Sequence, residues 1–234
     1  LKAELAEIQS ITVETTRKPR LKDYQHKLAG LKFLDPACGS GNFLTETYIS
    51  LRKLENEALR SLSDQIMLGD VTNPIQVSIG QFYGIEINDF AVTVAKTALW
   101  ITESQMMKET EDIMHMSLDF LPLKSYANIV EGNALRMDWE SVVPKQELNY
   151  IMGNPPFVGA RMMSPEQKDD LNSVFPGWKN AGNLDYVSCW YKNAADLMDG
   201  TAVRSALVST NSVTQGESVA NLWKPLFEAG IHID

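Results

Sequence analysis

Along the chain, short apolar runs alternate with longer stretches in which apolar residues return every three or four positions. The first pattern predicts strands buried on both faces and the second predicts helices. Their alternation predicts an α/β fold, a Rossmann-like doubly wound and mostly parallel sheet. Strands are expected at 31–34, 82–85, 128–130, 150–152 and 202–208, and a sixth reads as opening at Ile231 and cut off at Asp234. Helical spacing runs over 41–59 through Leu44, Tyr48, Leu51 and Leu54. It recurs over 89–107, opened by an Asn-Asp cap signal, through Ala91, Ala95, Ala98 and Thr102. A third helix is expected over 184–198. Residues 1–29 carry one helical pattern and then the basic stretch Arg17, Lys18, Arg20, Lys22, read as a solvated surface. Residues 61–80 read as an insertion before the second strand, and 158–183 as a long loop of the kind that often forms a lid.

Composition narrows this picture without changing it. A chain of 234 residues fits one large domain, and 44% hydrophobic with 22% charged residues is a globular balance. No apolar stretch reaches the ~18 to 20 residues that span a bilayer, so no membrane is expected. Charges interrupt the first residues, which excludes a secretory signal and makes a cytoplasmic setting the simplest one. Cys38 and Cys189 are too few for a disulfide framework and lack zinc-site spacing, so no metal is expected. With 21 basic against 30 acidic residues the net charge is −9, the wrong sign for a chain that grips phosphates alone. A nucleic-acid enzyme of this charge needs a separate basic module. The non-methionine start at Leu1 and the run at Ile231 are both expected of a fragment.

Chemistry is concentrated where strands end. After the first strand, Asp35, Pro36, Ala37, Cys38, Gly39, Ser40, Gly41, Asn42 and Phe43 form a glycine turn leading into a helix, a context suited to a nucleotide-like ligand. A dinucleotide fingerprint would place a third glycine where this chain has Leu44. An acid before the turn suits a cationic ligand better than a pyrophosphate. The second strand ends in Glu86 and Ile87, an acid placed to accept two ribose hydroxyls, 51 residues after Asp35 instead of the ~20 of the dinucleotide fold. After the third strand, Asn133 can offer its oxygen to an adenine amine while the Ala134 amide faces a ring nitrogen. Taken alone, this segment and Glu86 would be an ordinary turn and a helix cap. After the fourth strand come Asn154, Pro155, Pro156 and Phe157. The prolines stiffen the backbone, so the Asn154 amide oxygen and the Pro155 carbonyl can each accept a hydrogen from a planar NH2 that stacks on Phe157.

Together these residues resemble the amino-methylating class I DNA methyltransferases, particularly the N6-adenine branch of bacterial restriction-modification systems. The resemblance covers roughly residues 31–234 and includes 183–198, similar to the helix after the catalytic loop in large enzymes that join methylation to restriction. It implies an N-terminal segment at 1–29 and a catalytic domain at 30–234. It implies S-adenosylmethionine as cofactor, with Asp35, Ala37, Gly39, Gly41, Asn42 and Phe43 around its methionine part and Glu86 and Ile87 at the ribose and adenine. Asn133 takes a place more often held by Asp, with Ala134 beside it. Asn154, Pro155, Pro156 and Phe157 are the implied catalytic loop. Double-stranded DNA is the implied partner, reached through a C-terminal recognition module outside this chain. A Tyr-Thr-Pro-like element that helps enclose methionine in relatives is not seen in residues 1–29. Protein-glutamine methylation, cytosine N4 methylation and a non-catalytic scaffold role stay open alternatives, and the oligomeric state is not specified.

Overall fold

Phe33, Leu34 and Asp35 make up β1 (Phe33–Asp35), buried at all three positions, and the sheet builds outward from it. The computed structural model describes residues 1–63, 74–115, 118 and 127–233. β2 (Phe82–Glu86), β3 (Asn128–Glu131), β4 (Tyr150–Gly153) and β5 (Arg204–Leu207) join β1 in the order β3-β2-β1-β4-β5. All four pairings are parallel, as the apolar runs predict. Strand order reverses between β1 and β4, and in open parallel sheets such a switch point leaves a crevice at the strands' carboxyl ends.

Alternating side chains feed two cores. Phe33 sits in register with Phe82 and Tyr150, and the three rings stack in a ladder with centroids 5.2 and 5.3 Å apart. That face is covered by α1 (Lys2–Gln9), α2 (Glu14–Gly30), α3 (Asn42–Ser63) and α4 (Asp89–Met114). Leu34, Ile85 and Ile151 point the other way, under α5 (Pro165–Val174), α6 (Ser188–Met198) and α7 (Lys224–Glu228). Leu44, Tyr48 and Leu51 are buried at helical spacing, as read from the sequence, and each large apolar side chain so buried contributes roughly 1.5–3 kcal/mol.

One packed face is not apolar. Arg52 and Glu55, both fully buried on α3, pair at 2.5 Å, and the Arg52 guanidinium also donates to the Thr110 hydroxyl of α4 at 2.6 Å. Glu55 accepts the backbone N–H groups of Gln76 and Val77 at 2.7 and 3.2 Å, which docks the segment leading into β2. Burial pushes the Glu55 carboxyl up, against the lowering effect of Arg52 and the two amides.

Several sequence expectations are corrected. The run at Ile231 forms no strand over 231–233; the Ile231 amide donates to the Leu226 carbonyl and closes α7 instead. Asp234 and residues 64–73, the middle of the expected insertion, lie outside the described residues. The expected loop 158–183 contains α5, opened by a reciprocal capping box between Ser164 and Gln167 with Pro165 in its first turn. The basic stretch continues a 17-residue helix through Pro19, where Lys18 pairs with Glu14 and Arg17 donates to the Ile11 carbonyl. The helix expected from 184 begins at Ser188, because 184–187 form a turn that buries Leu184, Tyr186 and Val187 in the core. Among the described residues no helix is long and apolar enough to cross a membrane.

Candidate active site

The glycine turn after β1 is tied to its neighbours by backbone. The Cys38 amide donates to the Ile85 carbonyl at 3.1 Å, and the Gly39 amide donates to a Glu86 carboxylate oxygen at 2.9 Å. Both glycines have positive φ, +53° at Gly39 and +84° at Gly41. Their surroundings differ. A Cβ on Gly39 would meet nothing within 4 Å, so that side stays open to a ligand, whereas one on Gly41 would meet the Ala95 methyl at 3.0 Å. Gly41 is therefore needed for close packing of α3's first turn on α4. Burial, with Asp35 and Glu86 nearby, pushes the Cys38 thiol up, which suits an inert side chain.

Asp35 lies at the floor, 1% exposed. Its carboxylate accepts the Ala37 amide at 3.0 Å, but burial, helped by the charge of Glu86, pushes the carboxyl up to about 7. A carboxyl so placed gains by meeting a cation. The end of β4 passes directly over it: a Cβ built on Gly153 would stand 2.4 Å from an Asp35 oxygen. Glu86 is held by two amides, Gly39 at one oxygen and Asn88 at the other, both at 2.9 Å, which aims its remaining lone pairs without spending them all.

One cavity of about 700 Å³ collects residues from four strand ends. Ala37 comes from the turn after β1, Glu86 and Ile87 from β2, Asn133 and Ala134 from β3, and Asn154 and Pro156 from β4. The other candidates surround this space without lining it. Asp35 is beneath it, Gly39 and Gly41 shape the turn, Asn42 and Phe43 open α3 at the surface, Pro155 is buried, and Phe157 is 44% exposed.

Three contributing residues were not legible from the motifs. The Trp190 indole N–H of α6 donates to the Pro36 carbonyl at 3.0 Å, fixing the glycine turn from below. Tyr186, just before α6, donates its amide to the Val158 carbonyl at 2.9 Å, holding the chain after Phe157. Asp170 of α5 accepts from Asn133 Nδ2 at 3.1 Å, Arg136 Nε at 2.6 Å and the Tyr186 hydroxyl at 2.8 Å. The Asn133 oxygen meanwhile accepts the Leu135 amide at 2.9 Å. Nothing in the sequence pattern joined positions 133 and 170.

A doubly wound sheet with a glycine turn, an acid-ended second strand and an Asn-Pro-Pro-Phe loop meeting in one crevice defines the class: a DNA-methyltransferase domain. The family model for the MmeI DNA-methyltransferase domain matches residues 11–234, and the chain belongs to that family. It is 43% identical over 218 residues to DNA methyltransferase A of Bacillus subtilis (strain 168), covering 92% of this chain and 25% of that protein. The solved structure of the Type IIL restriction-modification enzyme MmeI in complex with DNA superposes with a TM-score of 0.90 at 43% identity. That match covers 98% of this chain and 30% of the MmeI chain, so the sequence spans less than a third of both relatives. A nuclease-deletion mutant of the Type ISP enzyme LlaGI, bound to a DNA substrate mimic, shares the fold at a TM-score of 0.54 and 17% identity.

Proposed function

We propose that this chain transfers a methyl group from S-adenosylmethionine to the N6 amine of an adenine rotated out of double-stranded DNA, within a restriction-modification enzyme. The observation that carries the reading is the shared cavity, which sets Glu86 and Asn133 on one side of the switch point and Asn154 on the other. The residues present fit the cofactor. Asp35 is a buried carboxyl awaiting a cation, Glu86 has lone pairs for two hydroxyls, and Gly39 leaves room at the turn. S-adenosylmethionine supplies a methyl group on a sulfonium, an electrophile that needs no metal.

Asn154 and Pro155 prepare the amine. An exocyclic NH2 on adenine is a weak nucleophile because its lone pair is spread into the ring. Two oxygen acceptors, the Asn154 amide and the Pro155 carbonyl, draw its hydrogens toward a tetrahedral arrangement and return that lone pair to nitrogen. The bound cofactor would supply the methyl group to the nitrogen that Asn154 and Pro155 hold and would keep the C–S electron pair as a thioether, while the displaced amine proton passes to solvent. Phe157 offers the face on which the base stacks, and the proline pair keeps the acceptors from turning away. The net charge of −9 supports a separate recognition module as the phosphate grip, and a cytoplasmic setting goes with this reading.

The test is to express the gene that encodes this chain in cells lacking adenine methylation, then hydrolyse their DNA to nucleosides. N6-methyldeoxyadenosine is the expected product; N4-methyldeoxycytidine, or label from the cofactor appearing only in protein glutamine, overturns the assignment. Cofactor binding gives a second check. Because Asp35 is protonated below about 7, affinity for S-adenosylmethionine should fall roughly five- to tenfold from pH 7.5 to pH 6. Asp35→Asn should bind weakly with no such slope, and a flat wild-type profile removes Asp35 from the site. The sign reverses for the ligand-free chain, which loses stability as pH rises from the unfolded value of 3.8 through about 7.

A further inference from the structure

Asn133 stands where the resemblance expects Asp, and a carboxamide has a difficulty that a carboxylate lacks. Its two ends are opposite in kind, one accepting and one donating, so a purine pocket built on it works only if something fixes which end faces the ligand. Two bonds do so here. The Leu135 amide donates to Oδ1 at 2.9 Å, and Nδ2 donates to Asp170 at 3.1 Å. A carboxylate cannot donate, so Asp170 rejects the flipped amide outright, and its charge makes it the stronger of the two constraints.

Asp170 is itself over-determined. It is 4% exposed, and Arg136 and the Tyr186 hydroxyl complete its shell. Burial alone would raise its pKa, but the bonds from Arg136, Tyr186 and Asn133 outweigh that and hold the carboxyl below its ordinary value. Asp170, Arg136, Asn133 and Tyr186 all line the cavity that holds Glu86 and Asn154. The carboxylate is brought there by the Ser164–Gln167 capping box, which starts α5 six residues earlier at the cavity rim.

We propose that Asp170 is the positioning residue of the purine pocket: it locks the Asn133 carboxamide with oxygen toward the ligand, so that the pocket selects a 6-amino purine over a 6-oxo purine. The inference rests on S-adenosylmethionine being the bound cofactor. Once one lone pair of Oδ1 serves Leu135, the second accepts from the adenine amine. A flipped carboxamide would present N–H to that amine and would pair with a 6-oxo group instead. Arg136 and Tyr186 hold the carboxylate against rotation, and Tyr186 carries the constraint on to the segment after Phe157.

The experiment is calorimetric binding of S-adenosylhomocysteine and of its hypoxanthine counterpart, in which a 6-oxo group replaces the 6-amino group. In wild-type protein the amino compound should bind at least about tenfold more tightly. Asp170→Asn nearly preserves volume, and an amide at 170 pairs with Asn133 in either sense, so the preference should fall to within about threefold. Tyr186→Phe, which removes one of the two braces on Asp170 but leaves its bonds to Asn133 and Arg136, should lower the preference less than Asp170→Asn does. If Asp170→Asn weakens both ligands by the same factor, or keeps the wild-type ratio, Asp170 has no orienting role. If wild-type protein binds neither compound, it is the cofactor reading that fails, and the inference falls with it.

Discussion

Asn154→Ala should lower methyl transfer roughly 10²- to 10³-fold while leaving affinity for S-adenosylmethionine within about twofold of wild type, the range for losing one preorganised hydrogen-bond partner at a reacting group. The separation follows from position. The proposed cofactor residues lie on the β1, β2 and β3 side of the switch point, whereas Asn154 follows β4 and is exposed, so its loss removes the proposed acceptor without opening a cavity in the core. Pro155 is buried and its carbonyl is not removed by the substitution, which is why activity should fall and not vanish. Single-turnover transfer from labelled cofactor to DNA measures the first quantity and calorimetry the second. Wild-type turnover in the variant would falsify the catalytic assignment, and a parallel loss of cofactor binding would move Asn154 to the other side of the crevice.

The largest effect on stability should come from a residue outside the crevice. Arg52→Met should cost about 3–5 kcal/mol at neutral pH, the range for stranding one partner of a fully buried pair. Glu55 would keep its bonds to the Gln76 and Val77 amides but lose its counter-charge, and burial would push its carboxyl up further. An acid raised on folding lowers stability as pH climbs above its unfolded value. The deficit of Arg52→Met should therefore be small near pH 4 and grow toward neutrality. Adding Glu55→Gln should recover most of it, since a neutral amide can still accept the two N–H groups. Urea unfolding of wild type, single and double variants across pH 4 to 8 measures this, and a pH-independent deficit would mean that packing, not charge, holds α3 to α4.

What the sequence disclosed follows from which interactions are local. Strands buried on both faces must be apolar at successive positions, so Phe33, Leu34, Ile85 and Ile151 announced the sheet, and the strand ends carried the chemistry. The strand limits that shifted did so by one or two residues, because hydrogen-bond registers and not apolarity decide where pairing stops. Position 204 is an instance: Arg204 begins β5, whereas the apolar run begins two residues earlier. α5 was hidden because KDDLNSV is mostly polar; it is held by Leu171 and Val174 against the core and by its capped first turn. Arg52 and Glu55 lie outside the apolar spacing of Leu44, Tyr48, Leu51 and Leu54, and only the packing of α4 over them shows them buried. The pairing of Asn133 with Asp170 spans 37 positions and has no local signature at all.

The close approach of Gly153 to the Asp35 carboxylate bears on any attempt to re-engineer which base is modified. Even one extra methyl group at 153 would press on the acid beneath it, so a transplanted substrate loop has to begin at 154 and leave its predecessor alone. In the proposed reading, the donor site and the acceptor loop therefore meet through a few atoms at Asp35 and Gly153, and a change at either should be felt at the other.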